Sequence, residues 1–103
     1  MKTVTVCTAL LVDHEAPVTT VELARFCEQQ IDWVVTLVEQ GVVPAAAGQL
    51  PEHWRFASHA VTRARMVARL QRDFEVNLDA AALMLDLMEE VRQLKVLLHR
   101  REK

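Results

Sequence analysis

Histidine, cysteine and arginine are the side chains through which this 103-residue chain could do chemistry. His14, His53, His59 and His99 are scattered, and none has a cysteine or aspartate at the spacing of a nucleophilic pair or a metal-ligand set. His53 and His59 straddle the start of a helix, and a zinc site at that interval needs partner cysteines that the sequence does not place there. Cys7 and Cys27 stand apart with no Cys-x-x-Cys, which fits two buried thiols in a reducing compartment. There is no glycine-rich phosphate loop. The expectation is a protein that is not an enzyme and holds neither metal nor cofactor.

Charge is the more informative chemistry. The net charge of −2 conceals an asymmetry. Residues 1–50 carry two bases, Lys2 and Arg25, against six acids. Residues 51–75 carry five arginines, at 55, 63, 65, 69 and 72, against three acids. Arg65, Arg69 and Arg72 fall on one helical stripe that could touch phosphates. The plainer reading, a solvated face paired with Asp73 or Glu75, is the favoured one.

The elements that must carry these residues follow from periodicity. One domain is expected over residues 1–103, since the chain is too short for two independent cores. No apolar run reaches the roughly 18–20 residues of a membrane span, and no cleavage site follows the first apolar stretch, so a cytoplasmic protein is expected. Residues 3–12, "TVTVCTALLV", alternate as a strand does, and "DHEAPVT" reads as a connecting turn. A short helix starts near Thr20, its cap, with Glu22 in the first turn and Val21, Ala24 and Cys27 facing inward.

After a break at residues 28–30, Ile31, Val34, Val35 and Val38 recur at helical spacing, and Gly41 and Pro44 end the helix. This pair of helices has the order of a helix-turn-helix. Its second helix ordinarily reads DNA, yet from Gln29 to Gly41 it carries no lysine or arginine and two acids, Asp32 and Glu39. Trp33 is either core or an exposed anchor for a protein partner.

"PAAAGQLPEHWRF", residues 44–56, reads as a hairpin-like wing with Gly48 at its tip and Trp54 and Phe56 returning to the core. A third helix follows with Ser58 as its cap and Val61, Ala64, Met66, Val67 and Leu70 inward. A last helix is capped by Asn77 and carries the heptad-like seam Met84, Leu87, Val91, Leu94 and Leu98. The seam outruns what three short helices can flank, so a homodimer is expected, with Glu89, Glu90, Arg92 and Lys95 at its edges if the helices pair antiparallel. Asp86, Glu89 and Glu90 on this helix, with Asp32, Trp33 and Glu39 on the second, are the candidate partner-binding residues.

Across residues 18–101 this order resembles the MerR family of winged helix-turn-helix regulators. "ELARFCEQQ" and "LVEQGVVPA" are similar to that family's opening and to its stop before the wing, and "FEVNLDAAALML" to the turn that leads into its dimerisation helix. The DNA-reading positions depart: "DWVVTLV" and "PAAAGQLP" lack the bases and tyrosines of the family. "GVVP", "WRF" and "LMLDLMEEVRQLK" resemble instead the chaperone-modulator family CbpM.

Together with the N-terminal strand and turn read from alternation (1–17), that resemblance implies a mainly α fold: a helix-turn-helix and wing (18–56) and two C-terminal helices (57–103), the last one long and dimerising. It implies a protein that binds the J-domain of a DnaJ-like co-chaperone, CbpA, and inhibits its stimulation of a DnaK-type chaperone. The alternatives are a MerR-type DNA-binding transcription regulator using Arg55, Arg63 and the arginine stripe on the DNA backbone, and an adaptor that binds without changing an activity.

Overall fold

The structure is a computed structural model that describes residues 17–46 and 48–101. The strand expected over residues 3–12 and the thiol of Cys7 lie outside the described residues. The chain divides after Arg65 into two compact units.

The first unit holds β1 (Val18–Thr19), α1 (Thr20–Cys27), α2 (Ile31–Glu39), a 3-10 turn (Pro51–His53) and β2 (Arg55–Phe56). The turn read from "DHEAPVT" therefore ends in a strand, because Val18 and Thr19 pair antiparallel with Phe56 and Arg55. Thr19, not Thr20, caps α1. Its hydroxyl accepts from the Glu22 amide at 3.1 Å, and its own amide donates to the Glu22 carboxylate at 3.0 Å, a reciprocal capping box. Thr20 is instead buried, and its hydroxyl donates to the Pro51 carbonyl at 2.6 Å. That bond satisfies a buried hydroxyl and fixes the helix start to the 3-10 turn.

The inward positions shift with the cap. Val21 is 49% exposed, and Leu23 takes its place in the core beside Ala24 and Cys27. On α2, Val34 and Leu37 are fully buried, Val35 and Val38 are half-buried, and Ile31 is exposed. Sequence spacing chose the correct helix but rotated its buried stripe, with Ile31 in the exposed first turn and Leu37 in the core.

Both helices end in the same way. Past α2, the Gly41 amide donates to Val38 O at 3.0 Å and the Val42 amide to Leu37 O at 2.9 Å, with Gly41 at φ +74°. This paired closure needs a left-handed residue, which glycine adopts at no steric cost. After α1 the same two bonds form from Glu28 to Arg25 O and from Gln29 to Ala24 O, with Glu28 itself left-handed at φ 57°.

The wing is a real hairpin: Ala46 and Arg55 exchange both backbone hydrogen bonds at 2.9 Å. Trp54 and Phe56 do return to the core, edge to face with centroids 6.4 Å apart. The Arg63 guanidinium donates to the Val42 carbonyl, joining the start of α3 to the loop that follows α2.

α3 (Ser58–Phe74) buries Ala60, Val61, Ala64, Val67, Ala68 and Leu70, while Met66 is only half-buried. Ser58 is the first residue within this helix rather than the residue before it. Glu75, left-handed at φ 53°, follows its end. α4 (Leu78–Arg101) is capped as expected: Asn77 Oδ1 accepts from the Ala80 amide at 2.8 Å. Its 24 residues extend about 36 Å at 1.5 Å per residue.

Candidate protein-interaction surface

α2 exposes its acids. Asp32 and Glu39, seven residues apart, lie close to one line along the helix and are both exposed. Asp32 stands in the first turn, where the helix dipole favours an anion. Trp33 is half-buried and has an interaction of its own, so it belongs partly to the packing of its unit. The described helix has no basic side chain, and its last turn has none to offer a phosphate.

α4 brings Asp86, Glu89 and Glu90 together on adjoining turns. Asp86 and Glu90 are exposed and four residues apart, hence on one face; Glu89 is half-buried beside them. Asp86 and Glu89 each hold an interaction already.

The seam is not an inner face. Ala81 and Leu85 are the buried residues of α4. Leu87, two positions beyond Leu85, points roughly 200° away at about 100° per residue. Met84 is half-buried, whereas Leu87, Val91, Leu94 and Leu98 are exposed, Leu98 to 60%. From Glu90 to Arg101 every residue is exposed. Leu83, Met88, Val96 and Leu97 add to this apolar exposure and were not part of the sequence pattern, since they fall outside strict heptad positions.

Sequence reasoning also missed a groove in the second unit. Met66, Leu85, Met88 and Val91 form its apolar lining with Glu89, Arg92 and Lys95, around about 330 Å³. The spacing of Leu85, Met88, Arg92 and Lys95, in steps of 3 and 4, was visible, but only the tertiary placement of Met66 turns that stripe into a groove.

The arginines divide by role. Arg65, Arg69 and Arg72 are exposed as predicted. Arg69 and Arg72 both approach Asp73, at 3.7 and 3.8 Å, which is the solvated, paired face that was favoured. Arg63 is held by the Val42 carbonyl, and Arg55 donates to the Trp54 carbonyl at 2.8 Å. Two of the bases available for a DNA backbone thus serve the fold. Cys27 is buried, and desolvation raises its thiol from 9.0 to about 12 despite the opposing charge of Arg65. Among the described residues no group of three or more His, Cys, Asp or Glu could hold a metal, and no helix is long and apolar enough to cross a membrane.

Residues 18–102 match the family described as MerR HTH family regulatory protein. Among similar proteins, the chaperone modulatory protein CbpM of Pseudomonas entomophila is 34% identical over 73 residues, 71% of each chain. The CbpM of Pseudomonas putida (strain W619) is 41% identical over 64 residues, 62% of each chain. A Coxiella burnetii CbpM is 24% identical over 86 residues, 84% of this chain and 80% of the relative. No solved structure matches the chain. With a helix-turn-helix and hairpin in the order of that domain, and with relatives spanning most of its length, the chain belongs to the CbpM family, built on a MerR-type helix-turn-helix domain.

Proposed function

We propose that this protein is a cytoplasmic chaperone modulator that binds the J-domain of a DnaJ-like co-chaperone and blocks its stimulation of a DnaK-type chaperone. The observation that carries the reading is the base-free α2, which exposes Asp32 and Glu39 where a DNA-reading helix presents bases. A J-domain shows a basic helix to its chaperone. An acidic surface attracts such a helix, speeds encounter, and repels the phosphate backbone. The relatives' name, chaperone modulatory protein, supports the chaperone half of the reading. Asp86, Glu89 and Glu90 are the first contacts in this scheme, with Asp32, Trp33 and Glu39 next. The exposed seam Leu87, Val91, Leu94 and Leu98, with Met84, supports a homodimer, which removes four large apolar side chains from water.

The test is a titration of the purified protein into an isolated J-domain beside one into mixed-sequence duplex DNA, both at low and physiological salt. The expected result is salt-sensitive J-domain binding with no DNA binding. The double variant Glu89→Lys/Glu90→Lys should bind the J-domain at least about tenfold more weakly, mainly through a slower association, with its helical circular dichroism intact. Unchanged affinity at low salt removes Glu89 and Glu90 from the interface. DNA binding without J-domain binding returns the protein to a transcription regulator working through its arginine stripe.

A further inference from the structure

The charges of α4 are segregated along its length. From Leu78 to Val91 the helix carries four acids and no base, and from Arg92 to Arg101 it carries four Lys or Arg and no acid. This basic end belongs to a chain whose overall charge is −2, so it is a local feature and not a reflection of composition.

The basic end begins at the groove. Arg92 and Lys95 stand on its lining beside Met88 and Val91. Both are exposed, and neither has an ion pair among the described residues. Glu89, the one acid on the lining, is already engaged in an interaction of its own. With two bases against one acid, the lining is net positive. His99, four residues beyond Lys95, continues the same side of the helix toward its C-terminal end. Arg92 lies two positions past Glu90, roughly 200° around the helix, so this side is not the one that carries Asp86 and Glu90.

We infer that this groove is a second docking site, which takes an acidic amphipathic helix of a partner protein. Apolar side chains of the incoming helix fill the trough between Met66, Met88 and Val91, and its carboxylates meet Arg92 and Lys95. Methionine suits such a seat, because its unbranched thioether repacks around differing apolar surfaces. An arginine and a lysine at the rim offer a bidentate fork and a mobile point charge to carboxylates that need not be fixed in register. The site rests on Arg92 and Lys95 and shares only Glu89 with the acidic surface of the proposed J-domain contact.

The probe is a fluorescein-labelled helical peptide with leucine at i, i+3, i+4 and i+7 and glutamate elsewhere. Its control has lysine in place of every glutamate. Anisotropy titrations use the full chain, at concentrations below and above its own self-association measured by sedimentation. The expected result is binding of the acidic peptide, weakened by salt, with the lysine peptide at least about tenfold weaker. Arg92→Glu/Lys95→Glu should lose the acidic peptide by at least that factor and keep its J-domain affinity, while Glu90→Lys, off the groove lining, should keep the peptide. Equal binding of both peptides, or of neither, overturns the inference. So does acidic-peptide binding that vanishes as the chain self-associates while Arg92→Glu/Lys95→Glu changes only sedimentation, which makes the groove an interface between copies. Loss of J-domain binding alone strikes only the proposed function.

Discussion

The helix-turn-helix region and the second half of α4 both carry many large aliphatic side chains and dispose of them differently. From Val18 to Phe56 Leu23, Val34, Leu37, Val43, Trp54 and Phe56 are buried, although Val21, Phe26, Ile31 and Leu50 are exposed, and α1 and α2 both end in paired closing bonds. From Val91 to Leu98 five large aliphatics stand half or more exposed. The first region buries most of its large apolar side chains within the chain, whereas the second has a hydrophobic surface of the kind that marks an interaction site.

The comparison predicts where a substitution will hurt. Phe56→Ala removes a ring with no exposure from between β1 and α1, and should cost about 3–5 kcal/mol in urea denaturation, from the lost transfer energy and the cavity left behind. A loss below about 1 kcal/mol means that the first region is not close-packed around this ring.

Cys27 sharpens the same contrast through pH. Its thiol is raised from 9.0 to about 12 by burial. The unfolded chain gives up this proton from about pH 9, while the folded chain keeps it until about pH 12. The contribution is therefore fully present below pH 9.0 and is lost as pH rises through the window to about 12. Its slope there is at most about 1.4 kcal/mol per pH unit. Denaturation curves at pH 8 to 11 should show the deficit of Cys27→Ala shrinking as the pH rises. A constant deficit means the thiol is wet.

Leu94→Asp is the smallest effect on the chain itself. At 59% exposure the side chain has little to lose, so the dilute protein should change by no more than about 0.5 kcal/mol. Sedimentation at high concentration should nonetheless lose the dimer. If instead the variant unfolds as Phe56→Ala does, the seam is core and the contrast between the regions collapses.

Much of this was legible from residue order. Gly41 announced its left-handed closure because no other residue takes that conformation so cheaply, and Asn77 announced its cap because its short amide reaches a free amide of the first turn. Val21 and Ile31 were misread for one reason. A helical stripe is periodic, but its phase is set by what lies beneath, and two consecutive threonines left the cap ambiguous until Thr20 was found bonded to Pro51. The exposed acids were legible on each helix, Asp32 and Glu39 on α2 and Asp86 and Glu90 on α4, while the groove was not, since Met66 and Lys95 are far apart in the chain.

By itself, then, the sequence determined the helices, their stops, the hairpin, the absence of bases on α2 and the segregation of charge along α4. These are local properties, fixed by side-chain type, capping chemistry and spacing within a few residues. Only the tertiary structure decided which threonine caps and which is buried, that Arg63 is tied to the Val42 carbonyl, that the seam turns away from Ala81 and Leu85, and that a cationic rim stands over an apolar trough. Each of those depends on the direction in which a side chain meets a segment distant in sequence, and burial and hydrogen-bond satisfaction select that direction only once the segments have come together.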